Sequence, residues 1–321
     1  MSPASHAVRV ARIVDEAVGI RTFELVALDG NALPSFSAGS HIDVQVPGEG
    51  SRQYSLCNDP LEGHRYLIGV LREAGGRGGS VAMHDRVREG HLLEISAPKN
   101  HFALTHDARR SLLLAGGIGI TPILCMAERL ANIGADFEMH YCTRSRERTA
   151  FLGRIGAPSL VARVHLHLDD GSAAQTFDMT SLLATPEPGT HLYVCGPEGF
   201  IAAALRSART GGWRETQLHC EFFAAAPAAS ADDVEFRVKL ASSGRLVGVP
   251  RDRTVVQALA DADVHIPVSC EQGVCGTCLT RVLEGEPDHR DLVLTSDEQA
   301  RNDQFLPCCS RSKSAVLVLD L

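Results

Sequence analysis

The chain lacks a hydrophobic run long enough to cross a membrane. Its longest stretch without a charged residue, from Ser111 to Ala127, has 17 residues and is interrupted by three glycines and a proline. A membrane-spanning helix needs about 20 consecutive apolar residues. Residues 1–10 are not followed by an apolar segment either, so we expect no secretory signal. These absences predict a cytoplasmic protein that does not bind a membrane.

Positive charge is also scarce. Lysine and arginine total 31 against 39 aspartates and glutamates, which gives a formal net charge of −8. Proteins that bind nucleic acid usually carry a basic surface, so a nucleic-acid partner is not expected. The 44% hydrophobic and 22% charged residues of this 321-residue chain are ordinary for a soluble protein. They predict two or three domains with cores of their own, and we find no internal repeat.

Cysteine, in contrast, is abundant. The chain has 10 cysteines, and five of them lie between Cys270 and Cys309. Disulfides at such density are typical of small secreted proteins, and this chain is long and has no predicted secretory signal. The clustering therefore indicates a metal centre in the C-terminal part of the chain.

The pattern of apolar residues changes twice along the sequence. Residues 1–103 hold short apolar or alternating runs separated by glycine and proline, which predicts a small antiparallel β-barrel. In residues 104–225 such runs alternate with helical patterns, which predicts an α/β domain with a doubly wound parallel sheet. A small-residue linker at about 224–233 then leads into a third domain, residues 226–321.

Four cysteines have the spacing of a plant-type [2Fe–2S] ferredoxin. Cys270, Cys275 and Cys278 form a C-x4-C-x2-C motif, and Cys308 follows after 29 further residues. Glycines lie between the first three cysteines, where a loop around a cluster needs close backbone approach. Backbone amides of such a loop can donate to the cluster and tune its potential.

Two alternatives accompany this motif. A structural zinc site would use paired C-x2-C knuckles, and the second pair is absent because Cys308 and Cys309 are adjacent. The same doublet leaves two candidates for the fourth iron ligand, Cys308 and Cys309.

Residues 52–55 form a candidate flavin site on a predicted barrel strand. Alternation places Arg52 and Tyr54 on one face and Gln53 and Ser55 on the other. Arginine can bind a phosphate, tyrosine can pack on a ring system, and serine can hydrogen-bond to a ring nitrogen. An ordinary half-exposed barrel strand could carry the same residues.

A glycine-rich turn downstream is a candidate phosphate pocket. Gly78, Gly79 and Ser80 precede an apparent short helix, residues 81–87. Free amides at a helix start bind anions, and a serine there can cap the helix. A flexible surface loop is the alternative reading.

The second predicted domain holds a candidate nicotinamide site. A strand leads through Gly116 and Gly117 into a helix start at Pro122, without the G-x-G-x-x-G fingerprint of plain dehydrogenases. Gly196 and Pro197 end a later strand, at the edge where doubly wound sheets bind ligands. The neighbouring Cys195 could equally be a buried core thiol, as most lone cysteines are.

The ordered set of motifs RQYSL, GRGGS, LLAGGIGITP, CGP, HCEFF and CEQGVCGTC resembles the phthalate dioxygenase reductase family, which includes vanillate demethylase reductases. The resemblance covers essentially the whole chain. It implies an FMN-binding barrel, an NAD-binding domain and a C-terminal α+β domain with the β-grasp ferredoxin fold. The implied role is to pass electrons from NADH through FMN and the [2Fe–2S] cluster to a terminal Rieske non-haem iron oxygenase.

The resemblance also implies roles for individual residues. For FMN it implies Arg52, Gln53, Tyr54, Ser55, Gly69, Val70, Leu71, Gly78, Gly79, Ser80, Thr121 and Phe223. For the nicotinamide side it implies Gly116, Gly117, Cys195, Gly196, Pro197 and Glu221, with Ser55, Cys195 and Glu221 closest to the reaction. The family's last iron ligand begins a C-V-S-R stretch, which favours Cys308, although Cys309 here replaces the valine.

Cofactor chemistry explains why three centres occur together. NADH gives two electrons as hydride, a [2Fe–2S] cluster accepts one, and a flavin converts between the two. NADPH is the alternative nucleotide, because Arg144, Arg146 and Arg148 follow a predicted strand end where a 2′-phosphate can bind. FAD is the alternative flavin, although no separate segment for an adenine is evident.

The partner and assembly follow less directly. A cytochrome P450 or another monooxygenase is an alternative electron acceptor, and a redox-sensing or electron-storage protein is an alternative role. Residues 230–321 carry fifteen acidic and ten basic residues. This negative charge suggests docking on a basic surface of the oxygenase. A monomer is the default expectation.

Overall fold

A computed structural model gives the fold of the 321-residue chain. It describes residues 5–76, 78–172, 175–223, 233–268, 273, 276, 278–291 and 293–321. Most of the predicted linker and the cysteines at positions 270 and 275 fall outside these ranges. Within them the chain divides into two compact units, Met1–Glu221 and Phe222–Leu321.

The first unit begins with an antiparallel sheet in the order β4-β3-β6-β1-β2-β5, with β7 paired to β3. A bridge between Leu56 and Ile68 joins the two end strands, so the sheet closes into a barrel. One helix, α1, connects β5 to β6. The elements are β1 (Ser5–Ala17), β2 (Ile20–Ala27), β3 (Ser40–Val46), β4 (Gly50–Ser55), β5 (Tyr66–Leu71), α1 (Gly79–Arg86), β6 (Leu92–Ser96) and β7 (Lys99–Asn100).

Alternation along the strands fills the barrel. In β6, Leu93 and Ile95 are buried while Leu92 and Glu94 are exposed. The same period places Val44 of β3 inside, directly opposite Ile95. Burying one face of each strand fixes the register, because a one-residue slip would expose every apolar side chain.

The second sheet of this unit has five strands in the order β10-β9-β8-β11-β12. Its pairs β8–β9, β9–β10 and β8–β11 are parallel. The elements are β8 (Arg110–Gly116), α2 (Ile120–Asn132), β9 (Asp136–Thr143), α3 (Leu152–Ile155), β10 (Val164–Leu168), α4 (Met179–Leu182), β11 (Thr190–Gly196), α5 (Glu198–Thr210) and β12 (Leu218–Phe222).

This strand order creates a switch point between β8 and β11. The chain moves outward from β8 in one direction through β9 and β10, then returns to β11 on the other side. In doubly wound folds ligands bind at the carboxyl ends of the strands at this point. The glycine turns that follow β8 and β11 both lie there.

The predicted fold class is confirmed, and the differences concern element ends. Helix α2 begins at Ile120, two residues before the predicted Pro122, because the turn 117–119 is itself a short 3₁₀ helix. Strand β4 ends at Ser55, three residues before Asn58. The side chain of Asn58 accepts from the amide of Leu67 at 2.9 Å and fixes the following bend.

The second unit has a five-stranded mixed sheet in the order β14-β13-β19-β15-β17 and a small pair, β16–β18. Strands β13 and β19 are parallel and central, as in a β-grasp fold. The elements are β13 (Phe236–Leu240), β14 (Leu246–Val249), α6 (Val255–Asp261), β15 (Thr280–Glu284), β16 (Pro287–Asp288), α7 (Ser296–Arg301), β17 (Gln304–Phe305), β18 (Arg311–Ser312) and β19 (Val316–Leu319).

A buried charge network ties the start of the second unit to its end. Asp233 is 4% exposed and pairs with Arg290 at 2.5 Å, and Arg311 lies 3.7 Å away. Arg311 also donates to the carbonyl groups of Val234 and Pro250. A buried carboxylate needs such partners to offset its desolvation. Among the residues described, no helix is long and apolar enough to span a membrane.

Candidate functional site

An arginine and a helix start form a cradle at one end of the barrel. Gly79 begins α1, and a Cβ atom built on it would lie 2.5 Å from Nε and 2.7 Å from Cγ of Arg52. The arginine of β4 therefore lies directly against the helix start, where only glycine fits. Free amides and the positive end of the helix dipole are directed here. Backbone and side chain together can hold one phosphate group.

The residue before the helix must also be glycine. Gly78 has φ +80°, a left-handed conformation that favours glycine, and its Cβ would meet Glu49 at 2.5 Å. Glu49 also lies 3.4 Å from Arg86. Ser80, the third predicted phosphate ligand, accepts a hydrogen bond from the amide of Glu73 through its hydroxyl at 3.0 Å.

A serine and a carboxyl group meet at the other end of β4. The Ser55 hydroxyl, 5% exposed, donates to Oε2 of Glu221 on β12 at 3.1 Å. Burial raises the pKa of Glu221 to about 7, and the hydrogen bond from Ser55 lowers it in part. The structure thus brings together two of the three residues predicted to lie closest to the reaction, from opposite sheets of the first unit.

Between these two ends, the barrel surface is closely packed. A Cβ on Gly69 of β5 would meet Thr121 at 2.7 Å and Phe151 at 3.2 Å. Burial raises the pKa of Tyr54 to about 12, so its hydroxyl stays protonated. The carbonyl of Val70 is hydrogen-bonded to His84 at 2.9 Å.

The remaining predicted flavin contacts differ in their surroundings. Gln53 pairs in register with Asp43 of β3, and Leu71 pairs with Ile20 of β2. Phe223 is 41% exposed and is the second residue of the second unit. Their contact with a flavin stays a prediction.

The two glycine turns at the switch point touch through their backbones. A Cβ on Gly119 would overlap the carbonyl of Cys195, and a Cβ on Gly196 would lie 2.9 Å from the Cα of Gly116. A Cβ on Gly116 would meet Pro197 at 3.0 Å. Glycine is therefore required at these positions because the two turns pack directly against each other. Gly117 has φ +53° and open space around it.

The thiol of Cys195 lies in the hydrophobic core of the parallel-sheet domain. It is fully buried, and burial raises its pKa well above the ordinary range, with Glu221 adding to the effect. A thiol in this state is not a nucleophile or an acid near neutral pH. Its contact with a nicotinamide stays a prediction.

A groove of about 650 Å³ lies where β9 ends. Its lining mixes acidic and basic side chains, including Arg146, Glu147 and Asp170. The predicted Arg144 and Arg148 are exposed beside it. Carboxylates at this position can hydrogen-bond to a ribose, while arginines suit a 2′-phosphate.

Part of the iron–sulfur motif is described. Cys278, Cys308 and Cys309 are all at least 94% buried. A hydrogen bond with the Cys278 thiol lowers the pKa of Cys308, but its contact with the Cys309 thiol and its burial outweigh this and raise the pKa to about 12. The amide of Gly273 is also hydrogen-bonded to Cys308.

Cys309 has different surroundings. Its thiol donates to the carbonyl of Leu306 at 3.6 Å and lies against the Cα of Gly273. Gly273 has φ +76° and Gly276 has φ +75°, as expected for a loop that wraps closely around a metal centre. The predicted ligands Cys270 and Cys275 lie outside the described ranges.

Two residues of the site were missed by sequence reasoning. Phe151 is a buried aromatic with φ +60°, an unusual backbone for a bulky residue, and it packs against Gly69. Glu49 faces Gly78 across the cradle. Neither has a sequence signal of its own, because each acts through a contact with a residue distant in sequence.

Comparisons with known proteins agree with this geometry. Residues 238–313 match the family model of the 2Fe-2S iron-sulfur cluster binding domain. Residues 96–218 match the model of the dimethylamine monooxygenase subunit DmmA-like N-terminal domain. The two models together cover about half of the first unit, Met1–Glu221, and most of the second unit, Phe222–Leu321.

Three relatives extend the similarity to the whole chain. A vanillate O-demethylase oxidoreductase of Pseudomonas putida is 54% identical over 96% of this chain and 97% of its own. The solved structure of a phthalate dioxygenase reductase is 40% identical, with a TM-score of 0.70, and covers 99% of this chain and 98% of its own. An intact type IV self-sufficient cytochrome P450 monooxygenase is 40% identical, with a TM-score of 0.72, over 99% of this chain but 41% of its own.

Proposed function

Because this chain belongs to the family of phthalate dioxygenase reductase and vanillate O-demethylase oxidoreductase, we propose that it is the reductase component of an oxygenase system. Its substrate is NADH, its cofactors are FMN and a [2Fe–2S] cluster, and its partner is a terminal Rieske non-haem iron oxygenase. A bound flavin supplies the conversion from two-electron hydride transfer to single-electron transfer. The cluster model that matches residues 238–313 supports the second half of this route.

The observation that carries the proposal is the arrangement along β4. Arg52 lies at the helix start of α1, and Ser55 lies three residues further on beside Glu221. The two positions lie about 10 Å apart along the strand, and because alternation directs their side chains to opposite faces, Ser55 meets a ligand only at the strand end, beside β12. Arg52 and the α1 amides would hold the phosphate, and Ser55, oriented by Glu221, would hydrogen-bond to the ring.

The crevice at the switch point suits the nicotinamide nucleotide. The turns at Gly116 and Gly196 pack closely together at the carboxyl ends of β8 and β11, and the helices α2 and α5 begin there. Thr121 and Phe151, which touch Gly69 of the barrel, connect this crevice to the flavin side. The nearby groove holds both Glu147 and Asp170, which suit a ribose, and Arg146, which suits a 2′-phosphate, so the choice of NADH over NADPH rests on the family.

For the cluster we propose Cys270, Cys275, Cys278 and Cys308 as ligands. Cys308 is hydrogen-bonded to Cys278 and to the amide of Gly273, whereas the thiol of Cys309 is directed to the carbonyl of Leu306. Buried thiols within reach of each other are suited to soft metal ions. Cys309 also contacts Cys308 and the position of Gly273, so the choice of Cys308 rests on the family's C-V-S-R stretch.

The domain boundaries, assembly and location complete the proposal. The barrel spans residues 1–103, the nucleotide-binding domain 104–225 and the ferredoxin domain 226–321. We infer that the protein acts in the cytoplasm as a monomer.

Reconstituted turnover tests the function. Purified holoprotein should support NADH-dependent O-demethylation of vanillate by the oxygenase component of vanillate O-demethylase. NADPH should give a much lower rate at equal concentration. NADH oxidation without product in the presence of an active oxygenase would contradict the proposed partner.

A cytochrome P450 is the second candidate partner. The similarity over 99% of this chain to a self-sufficient P450 monooxygenase supports it. The same assay with a P450 in place of the Rieske oxygenase separates the two, because only the true partner couples NADH oxidation to product.

A further inference from the structure

A cluster of two histidines and a glutamate lies at one edge of the parallel sheet, on the strands β9 and β10. Glu138 and His140 belong to β9, and His165 belongs to the edge strand β10, directly opposite His140 in register. Oε1 of Glu138 lies 3.1 Å from Nε2 of His140 and 3.1 Å from Nε2 of His165. The three donor atoms all lie within 4.8 Å of one another.

A hydrogen-bond chain fixes the orientation of His140. Nδ1 of His167 lies 3.2 Å from the carbonyl oxygen of Gln175, which can only accept, so this nitrogen carries the proton. Nε2 of the neutral His167 ring then accepts from Nδ1 of His140 at 3.0 Å. In the neutral His140 ring, Nε2 is therefore left with a free lone pair directed at Glu138.

The carboxylate is oriented as well. Oε2 of Glu138 accepts from Nη2 of Arg110 at 2.5 Å, which leaves Oε1 facing the two imidazoles. His140 is buried, and its hydrogen bond to His167 orients the ring. A lone pair and a carboxylate oxygen then face each other at 3.1 Å, an arrangement that a cation between them would stabilise.

We propose that Glu138, His140 and His165 bind a divalent transition-metal ion such as Zn²⁺. Two imidazoles and one carboxylate are a recognised zinc ligand set that leaves a fourth position for water. Ligand atoms of a tetrahedral zinc site are about 3.4 Å apart, close to the two 3.1 Å separations between Glu138 and the histidines. Histidine ligands are commonly oriented by a hydrogen bond on the other ring nitrogen, as His167 provides for His140.

The site is specific to this edge. Within the described ranges, no other group of three histidine, cysteine, aspartate or glutamate side chains brings its donor atoms this close together. His191 and His219 form a similar stacked pair, with Nδ1 and Nε2 2.9 Å apart, but no carboxylate completes a set of three there. A bound ion would link the side chains of the edge strand β10 to those of β9.

Calorimetric titration with ZnCl₂ tests the proposal on the full-length protein with its flavin and cluster bound. His165→Gln is the main variant, because this side chain is 49% exposed and can be replaced without opening the core. Glu138→Gln is the second variant, and His191→Gln is the matched control. Visible absorbance recorded during the titration checks that zinc does not displace iron.

The wild-type protein and H191Q should bind one Zn²⁺ per chain with equal affinity. H165Q and E138Q should bind it at least about tenfold more weakly. Zinc should also raise the unfolding temperature of the wild-type protein and H191Q, but not of H165Q. Equal zinc affinity in the wild-type protein and H165Q, or an equal loss in H191Q, would overturn the proposal.

Discussion

At the residue scale, the candidate site depends on positions where a side chain would not fit. Gly79 leaves room for Arg52, and Gly119 leaves room for the carbonyl of Cys195. The sequence indicated these glycine turns through their position between strands and helices. It could not reveal which neighbour each glycine accommodates, because Arg52 and Gly79 are 27 residues apart in the chain. That contact exists only once the barrel has closed.

Gly79→Ala should weaken FMN binding. The new methyl group would lie 2.5 Å from Nε of Arg52, so the arginine must move away from the helix start. We expect the Kd for FMN to rise at least about tenfold, which corresponds to ~1.4 kcal/mol. Fluorescence titration of the flavin-depleted protein measures this.

Gly75→Ala is the matched control for this experiment. It lies in the same loop, and its Cβ would meet nothing within 4 Å. Equal FMN affinity in the two variants would contradict a phosphate site at Arg52 and Gly79.

Cys308→Ser should abolish the reduced-cluster EPR signal, whereas Cys309→Ser should keep it. The thiol of Cys308 is hydrogen-bonded to Cys278, while that of Cys309 donates to a backbone carbonyl. Iron content and low-temperature EPR after anaerobic reduction distinguish the variants. The reverse pattern would make Cys309 the fourth ligand.

At the element scale, the sequence predicted the long periodic elements better than the short ones. Helix α5 runs from Glu198 to Thr210, as the sequence predicts, because Pro197 precedes it and glycines at 211 and 212 follow it. The strands β14 and β15 and the helix α7 were not predicted. They are short, and their stability comes from pairing with β13, β19 and β17 rather than from a pattern of their own.

The contact between α2 and the barrel is an element-scale feature that no sequence pattern indicated. Arg154 binds Glu128 of α2 through two hydrogen bonds of 2.9 and 2.6 Å. The same guanidinium donates to the carbonyl of Cys57, just beyond β4. Arg154 thus links helix α2 to the segment of the barrel that follows β4.

Glu128→Gln should destabilise the first unit. The substitution leaves Arg154, which is largely buried, without its carboxylate partner. We expect the free energy of unfolding to fall by about 2 kcal/mol, which is less than for a fully buried pair because this one is partly exposed. Glu215→Gln removes an exposed partner of Arg209 and serves as the control, with little expected change. Chemical unfolding followed by flavin fluorescence compares the two. Equal stability of E128Q and E215Q would contradict a joining role for this pair.

At the scale of the whole molecule, the negative charge is concentrated in the C-terminal region, where residues 230–321 carry fifteen acidic and ten basic side chains. A charged region near the cluster can steer a partner of opposite charge. Sequence alone therefore predicted the order of centres and the sign of the docking surface. It could not predict the histidine–glutamate cluster, because this cluster needs β9 and β10 to pair in one particular register.

Electron delivery to the oxygenase should slow as salt increases. Raising KCl from about 20 to 200 mM shortens the screening length severalfold and weakens attraction between the partners. Stopped-flow reduction of the oxygenase measures the rate, and flavin reduction by NADH within the reductase is the internal control. A rate independent of salt would argue against electrostatic docking.

An anaerobic titration of the purified holoprotein with NADH, followed by visible absorbance and low-temperature EPR, tests the central claim most directly. The proposed route predicts that the flavin absorbance bleaches and that a rhombic reduced-cluster signal appears. NADPH in the same titration should be much less effective. Bleaching of the flavin without a cluster signal in iron-replete protein would contradict the route. It would indicate that the cysteines bind zinc or form disulfides instead.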